Sequence, residues 1–525
     1  MGDWRGRLFS GAQSAAEPLL LAVGVLLALA PFLNDAPGPC NDSSRLATAQ
    51  ALVESGRFAI DDTYFAYTCD RIVIDGTSYS DKPPVLSLLL AALYGLGTVA
   101  LGLDVARDLG TLYPLMALLS SGVAFAATAV GVRRLALALG AGRGAALLTA
   151  VVAVFGTLMF TYSAAISNHP IGAALLIWLV VVVVEALQPA QGPQLPTGRG
   201  ALVGALAAGA VVVDPLAVTV AAPLTLLLLV RKPGFPGALG VALGASPLLA
   251  AHVAVCLAVA GHPLALNLDP AYFEYEGSMH STRNLSGTGW KHGSLGAFLS
   301  YAFHSLLGHR GLLIYSPPVL LGLIGVGLLA RREESAARDV AAAVGLGVVG
   351  FLGLTLGFSS NFSGWSYGVR WHALIAPLLV GVGGGAVAVV APERRRAWLG
   401  ALVALGVVGA VLGGIGTINP WTVSMNSGEH SVVEQLTADE AYVRRDLTNA
   451  AYFLKRDHYV EAAHAARLAL VRDPIHPDAW FFLIQASRGL RDQGALAEAR
   501  EAIVAGRFEA ATRARLLATI DAPLE

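Results

Sequence analysis

Residues 171–187 read IGAALLIWLVVVVVEAL, an apolar run whose single charge is Glu185. A helix needs about 20 such residues to cross the roughly 30 Å of hydrocarbon in a bilayer. Similar runs recur along the chain, and they predict an all-α, polytopic membrane helical bundle with outer surface helices and a small C-terminal helical-repeat domain. We predict about eleven spans, at residues 17–33, 109–131, 144–164, 171–187, 200–213, 215–230, 236–260, 311–330, 338–357, 372–390 and 397–416.

The composition agrees with this interpretation. The 525 residues are 55% hydrophobic and only 14% charged, with a mean hydropathy of +0.62, whereas soluble domains carry about 25% charged residues. The net charge of −1 shows no basic excess, so no nucleic-acid partner is expected. The first apolar run, at residues 18–33, is not followed by a convincing cleavage motif, so we expect it to remain as a membrane helix.

Positive charges predict the orientation. If the apolar run at residues 83–103 lies along the membrane surface, twelve cations in the connections fall on one side, which the positive-inside rule makes cytoplasmic. The same rule favours a hairpin at Asp214-Pro215 over one kinked helix. The N-terminus is then cytoplasmic and the C-terminal domain outside, in a bacterial cytoplasmic membrane. The twelve cations are Arg133, Arg134, Arg143, Arg199, Arg231, Lys232, Arg331, Arg332, Arg338 and Arg394 to Arg396.

The composition changes after Trp421, where long apolar runs stop. We therefore predict a membrane domain at residues 1–420 and a soluble outer domain at residues 421–525. Alanines of the second domain recur at a spacing close to the roughly 34 residues of the tetratricopeptide repeat, which this segment resembles. The domain is either a module that contacts a protein or a glycan, or a lid that stabilises the membrane domain. The recurring alanines are Ala462, Ala466 and Ala469, then Ala495, Ala499 and Ala502.

The first outer loop, residues 34–108, carries the candidate chemistry. Asp42 is expected to cap a helix that runs to Ser55, with Gly56 as its stop. Further on, residues 81–84 read DKPP.

The chain has three cysteines. Cys256 lies inside an apolar run, while Cys40 and Cys69 share the first outer loop. A disulfide between the latter two and a pair of free thiols are both compatible with the sequence.

This loop resembles that of the GT-C superfamily of membrane glycosyltransferases, in the branch of bacterial aminoarabinose transferases and protein O-mannosyltransferases. The family loop has an acidic residue, an Arg three positions on, a helix ending in Gly and an acidic-Lys-Pro turn. Asp42, Arg45, Gly56 and the turn at residues 81–84 match it, and the resemblance is strongest over residues 35–135. It implies inverting transfer of a sugar from a polyprenyl-phosphate donor to an acceptor hydroxyl. For Asp81 it implies a role in binding a divalent metal, but the loop has no His-rich ligand spacing, so metal dependence stays open.

Such a transfer requires a base for the acceptor and cations for the departing phosphate. We predict Asp42 as the general base, and Arg310 and Arg370 with Lys82 as ligands of the donor phosphate. Each Arg stands where a span begins on the outer side, a depth at which Arg also commonly contacts lipid headgroups. The supporting residues are Arg45, Asp81, His309 and Tyr367.

Other polar residues on the outer side have open roles. Those of the large loop at residues 261–310 either stack on a sugar or are interfacial. His169 and Asp214 lie at tight outer turns, and Asp214 is equally well explained as a turn residue. The loop residues in question are Asp269, Tyr272, Glu274, Tyr275, Glu276, His280, Arg283, Trp290, Lys291 and His292.

Two other classes of function fit the same sequence. A transporter or flippase would place ionisable residues near mid-membrane and often has inverted repeats, whereas here the polar residues crowd the outer side. A non-catalytic assembly protein would use the membrane part to anchor the repeat domain. For the transferase, the expected partners are the polyprenyl-phosphate sugar, membrane lipids, an acceptor lipid, glycan or protein, and a protein partner of the repeats.

Overall fold

The computed structural model describes residues 4–38, 40–66, 68–275, 278, 290–333, 335–364, 366–418, 420–421, 439–506 and 508–523. Its described part is helical apart from turns, loops and a two-stranded sheet. The chain divides into two compact units: residues 1–100 with 113–425, and residues 101–112 with 426–525.

Apolar helices occupy every predicted span of the first unit. In the described part of the chain, five helices are long and apolar enough to cross a membrane, and seven shorter apolar helices accompany them. The chain is therefore a multi-pass membrane protein, while the number of crossings and the sidedness stay predictions. In chain order the helices are α1 (Trp4–Leu29), α2 (Asn41–Ser55), α3 (Pro84–Gly95), α4 (Val105–Ala117), α5 (Val123–Ala138), α6 (Arg143–Phe155), α7 (Leu158–Ser163), α8 (Asn168–Ala186), α9 (Thr197–Val213), α10 (Val218–Arg231), α11 (Phe235–Ala260), α12 (Leu295–Leu306), α13 (Leu312–Tyr315), α14 (Val319–Ala330), α15 (Ala336–Gly357), α16 (His372–Gly385) and α17 (Arg395–Ile418).

Helix α2 carries Asp42 into the protein interior, and its first eleven residues are buried. The helix begins at Asn41 because the Cys40 carbonyl accepts its first hydrogen bond, from the Ser44 amide at 3.0 Å. Cys40 is thus the N-cap, and the prediction that Asp42 caps this helix is wrong. Gly56, in the left-handed conformation at φ 67°, ends the helix as predicted.

A β-hairpin in the first loop was not predicted. Strands β1 (Arg71–Ile74) and β2 (Thr77–Ser80) pair antiparallel. Asp75 and Gly76 form the connection, both with positive φ. An Asp-Gly dipeptide between alternating residues is a strong hairpin signal, because both positions tolerate the left-handed conformation.

Small residues let α9 and α11 pack closely. A Cβ added at Gly204 would overlap the carbonyl of Val241, and one at Gly244 would overlap the carbonyl of Ala201. Lipid tails are as apolar as the helix surface, so helices in membranes associate through close backbone packing of this kind. The pair α9 and α11 is therefore held by shape rather than by burial of large side chains.

The helices of the first unit have two distinct ends. At one end Asn34 donates its amide N–H to the Ala164 carbonyl at 2.8 Å and its side-chain Nδ2 to the Thr417 carbonyl at 2.9 Å. Asp42 lies at this end, which we call the Asp42 end. At the opposite end Arg134 pairs with Glu185 at 2.6 Å. The twelve cations on which the orientation was predicted flank the helix termini there, and we call it the basic end.

The second unit is a set of short antiparallel helices. Of the alanines predicted to recur, those at 462, 466, 469, 495 and 499 are buried, so they form part of a packed core within this unit. Membership in the tetratricopeptide repeat class stays a prediction. Its helices are α18 (Asp439–Leu454), α19 (Tyr459–Arg472), α20 (Pro477–Gly489), α21 (Gln493–Ala505) and α22 (Ala510–Asp521).

Candidate functional site at the Asp42 end

Asp42 is fully buried at the first turn of α2. Its Oδ2 accepts hydrogen bonds from the Tyr113 hydroxyl at 2.5 Å and from Trp421 Nε1 at 3.2 Å. Its Oδ1 accepts one from the Ser43 amide at 3.2 Å. Three donors thus orient the carboxylate.

The environment of Asp42 changes its acidity. Burial raises its pKa from 3.8 to about 6, and the hydrogen bond from Tyr113 and nearby backbone amides limit the rise. A carboxylate with this pKa is ionised at neutral pH and is a stronger base than an exposed one. These are the properties required of a general base that works near neutrality.

Trp421 joins Asp42 to Arg370, a contact that the sequence did not predict. The Arg370 guanidinium lies over the Trp421 ring, 5.7 Å from its centroid, as in a cation–π contact. Tyr162 packs against the other side, with its ring centroid 5.6 Å from that of Trp421. Arg370 Nε is buried and has no hydrogen-bond partner among the described residues. The guanidinium therefore retains a donor for a ligand.

Arg45 is a buried cation at the centre of the site, with 2% of its surface exposed. It donates to the side-chain oxygen of Asn41 at 2.5 Å and to that of Asn168 at 3.0 Å. Burial lowers its pKa to about 10, and the charges of Asp81, Arg370, Asp70 and Asp42 also act on it. The side chain remains a cation at neutral pH, and its charged neighbours come from both ends of the first loop and from residue 370.

Lys82 is held between two carboxylates. Its Nζ lies 2.7 Å from Asp70 and 3.1 Å from Asp81. The hairpin explains why these three residues meet. Arg71 and Ser80 lie directly opposite each other at its open end, so Asp70, just before the first strand, comes close to Asp81 and Lys82, just after the second. Sequence reasoning missed Asp70, which has no motif of its own. The Lys82 ammonium keeps one of its three N–H groups for a further acceptor.

This arrangement does not fit the divalent metal that the family resemblance implies for Asp81. The Lys82 ammonium occupies the position between the carboxylates of Asp70 and Asp81, where a cation would have to bind. Both carboxylates therefore already face a cation, which they share. The two cysteines near Asp70 are not available as ligands, because they form a disulfide.

Cys40 and Cys69 form a disulfide with their Cα atoms 4.8 Å apart, which decides between the two alternatives left by the sequence. Cys40 is two residues from Asp42, and Cys69 directly precedes Asp70. The bond therefore links the helix that carries Asp42 to the hairpin that carries the Lys82 group.

The other predicted site residues have different surroundings. Arg310 is buried and donates to the Ser366 carbonyl at 2.5 Å, and its charge and that of Arg370 both act on Tyr162. The Tyr367 hydroxyl donates to the Leu412 carbonyl at 2.9 Å, which makes it a packing residue. His309 Nδ1 lies 2.9 Å from Nδ1 of His304. The charges of Arg310 and Arg370 thus both act on Tyr162, whose hydroxyl donates to the Tyr367 carbonyl at 2.8 Å. His309 makes its contact with His304 instead.

A narrow cleft borders Lys82, and its lining includes Val255, Val259 and Leu266 together with Ser80 and Lys82. The cleft thus combines an apolar wall from the end of α11 and the segment that follows it with a cation from the first loop.

The large loop contacts the first loop. The Tyr275 ring lies under the Arg71 guanidinium at 5.2 Å, and Asp269 caps a short helical turn through the Ala271 amide at 3.0 Å. Trp290 and His292 belong to an aromatic group near α12. Glu276, His280 and Arg283 lie outside the described residues.

His169 and Asp214 form a buried pair that was not predicted. His169 Nδ1 lies 2.6 Å from Asp214 Oδ2, and their side chains are only 5% and 3% exposed. His169 follows Asn168, the partner of Arg45. The two turn residues therefore meet beside the charged group around Asp42.

No protein-family profile matches the sequence, and no curated protein matches it. Among solved structures, ArnT from Cupriavidus metallidurans bound to undecaprenyl phosphate is similar, with a TM-score of 0.46 and 13% identity over 94% of this chain and 80% of that one. The apo structure of the same ArnT has a TM-score of 0.46 and 16% identity, again over 94% of this chain and 80% of that one. A third similar structure is the archaeal oligosaccharyltransferase AglB from Archaeoglobus fulgidus, in complex with an inhibitory peptide and a dolichol-phosphate. Its TM-score is 0.44 and its identity 12%, over 83% of this chain and 58% of that one.

Proposed function

We propose that this protein transfers a sugar from a polyprenyl-phosphate donor to an acceptor hydroxyl at the outer face of the membrane, with inversion and with Asp42 as general base. One observation carries the proposal. A fully buried carboxylate with a pKa of about 6 lies near the buried Arg45 and the half-buried Arg370, at one end of a membrane helical bundle. A base beside cations suits a reaction that removes a proton from one group and leaves negative charge on another.

The residues divide the reaction between them. Asp42 takes the proton of the acceptor hydroxyl while the acceptor oxygen bonds to the anomeric carbon. The bond from that carbon to the phosphate oxygen breaks, and its electron pair stays on the phosphate. A single displacement of this kind inverts the anomeric carbon. Arg370, Arg310 and Lys82 stabilise the charge on the departing phosphate, with the planar Arg groups suited to two oxygens at once.

The cleft beside Lys82 supports a lipid donor. Its wall of Val255, Val259 and Leu266 suits an isoprenoid chain, and the Lys82 ammonium provides a cation beside that wall for a headgroup phosphate. Most of α11 is exposed on the surface of the protein, so a lipid could reach this wall from the bilayer. The lipids bound to ArnT and AglB, undecaprenyl phosphate and a dolichol-phosphate, belong to the donor class that we propose.

The test is Asp42→Asn, assayed in membranes with a panel of labelled undecaprenyl-phosphate sugars. We expect turnover to fall about 100- to 10,000-fold, the range for removal of a general base, at an unchanged protein level. Asp62→Asn is the matched control, because Asp62 is an exposed residue of the same loop. Normal turnover in Asp42→Asn with any donor that the wild-type protein uses would exclude Asp42 as base.

A further inference from the structure

The His169–Asp214 pair is an ionisable group inside a membrane bundle. Burial of such a pair is costly unless it is well hydrogen-bonded, and buried ionisable residues beside other charges are candidates for a function. The pair joins the first turn of α8 to the break between α9 and α10. Gly172 makes room for the contact, since a Cβ there would lie 3.1 Å from the Asp214 Cβ.

The local structure does not account for the pairing. Ser167, rather than His169, caps α8 by accepting a hydrogen bond from the His169 amide at 3.4 Å. Asp214 caps the turn after α9 with Oδ1, which accepts from the Leu216 amide at 3.3 Å. Its Oδ2 is not used in the cap and holds His169 instead. Helix capping therefore explains one oxygen of Asp214 but not the contact of the other with the imidazole.

The imidazole lies beside the cations of the site. Its neighbour Asn168 accepts a hydrogen bond from Arg45, and the charges of Arg370 and Arg45 both act on the ring. Tyr162, which the charges of Arg370 and Arg310 also reach, meets the ring edge-on at 6.3 Å between centroids. Among the described residues the ring makes its hydrogen-bond contacts through Nδ1, with Asp214 at 2.6 Å and Asn168 at 3.4 Å, and none is found at Nε2.

We propose that His169, oriented by Asp214, is a further ligand of the donor phosphate, to which Nε2–H donates a hydrogen bond as negative charge accumulates. The inference rests on the proposed function and adds a residue to the same site. With Asp214 at Nδ1 and a phosphate at Nε2, both ring nitrogens face acceptors, so the bound ring is an imidazolium. The phosphate offsets the repulsion between that ring and the two Arg groups. Asp214 acts as the positioning residue.

The test compares two lipids on the purified full-length chain in detergent micelles: radiolabelled undecaprenyl phosphate, and undecaprenol, which lacks the phosphate. We expect His169→Gln to weaken binding of the phosphate lipid about 10- to 100-fold, as for loss of a hydrogen bond to a charged group, with undecaprenol unaffected. Arg370→Gln should show the same selectivity. His262→Gln is the matched control, because that His packs against Tyr272 in another loop.

Asp214→Asn provides a second variant, since an Asn side chain keeps the capping oxygen. We expect a smaller loss of phosphate-lipid binding, which disappears when His169 is already Gln, because Asp214 acts through His169. Equal loss of both lipids in His169→Gln, or wild-type binding in His169→Gln while Arg370→Gln loses the phosphate lipid, overturns the inference alone. A wild-type protein with no preference for the phosphate lipid contradicts the proposed function as well.

Discussion

The two ends of the membrane helices carry charge in opposite ways. At the Asp42 end, Asp42 is fully buried and Arg45 is 2% exposed. At the basic end, the side chains of the paired Arg134 and Glu185 are 54% and 34% exposed. The first end gathers charges from distant parts of the chain around a few buried side chains, whereas the Arg134–Glu185 pair of the second end is open to the surroundings.

The two kinds of charge are suited to different roles, the exposed ones to orienting the protein in the membrane and the buried ones to a functional site. Exposed ion pairs contribute about 0 to 1 kcal/mol and are screened by salt, and cationic loops are sufficient to orient a membrane protein. A buried charge requires partners on every side, because leaving it unpaired costs several kcal/mol. At the Asp42 end the fold supplies such partners around Asp42, Lys82 and His169, which supports the proposal that the reaction takes place there.

The largest expected contrast comes from the same substitution at both ends. Arg370→Gln should lower transfer about 100- to 1,000-fold, the effect of losing a group that stabilises developing charge. Arg134→Gln should leave transfer unchanged, because its guanidinium pairs with Glu185 away from the site. Initial rates with a saturating acceptor in membranes would measure both. Similar losses in the two variants would remove the distinction between the ends.

The disulfide should matter at the Asp42 end. It closes a loop with a sequence separation of 29, and the chain-entropy relation gives about 3 to 4 kcal/mol for a loop of this size. In Cys40→Ser with Cys69→Ser, we expect faster amide hydrogen exchange in residues 41–82 and reduced transfer, since the bond links α2 to the Lys82 group. Cys256→Ala, which removes only the third cysteine, should show neither change. Unaltered exchange in the double variant would contradict the expected linkage.

The acidity of Asp42 predicts a pH profile. Because its pKa is raised to about 6, the base is protonated below that pH, and transfer should fall about tenfold per unit at more acidic pH. Tyr113→Phe removes a hydrogen bond that lowers this pKa, so the acid limb should move up by about one unit. Tyr301→Phe, in α12, is the control and should leave the acid limb of the pH profile unchanged. A wild-type rate that holds constant down to pH 4 would show that another group is the base.

The smallest effect is expected for the stability of the basic end. Glu185→Gln should change the free energy of unfolding by less than about 1 kcal/mol, because the Arg134–Glu185 pair is exposed. Thermal unfolding of the purified chain in detergent measures this. A loss of several kcal/mol would mean that the basic end also depends on specific charge pairs.

Much of the fold could be predicted from local signals. Apolar runs located every helix of the bundle, because the bilayer demands about 20 apolar residues per crossing. Gly56 marked the end of α2. The hairpin also had a signal, in Asp75-Gly76 between alternating residues, that the all-α prediction did not use.

The candidate site was predictable only in part. Asp42, Arg45 and Lys82 stand close together in sequence, with a family pattern to recognise them. Trp421, which donates to Asp42 from 379 residues away, has no such pattern. Asp70 depends on the register of a hairpin.

The sequence by itself determined that this chain is a membrane helical bundle and that an acid-and-Arg helix follows its first span, since hydropathy and short motifs act over neighbouring residues. Tertiary structure alone decided which charges meet. Three contacts depend on how separate segments pack: His169 with Asp214, Trp421 with Asp42 and Arg370, and Asp70 with Lys82. Burial then changes the chemistry of each group, because a charge out of water responds to whichever neighbours the fold provides.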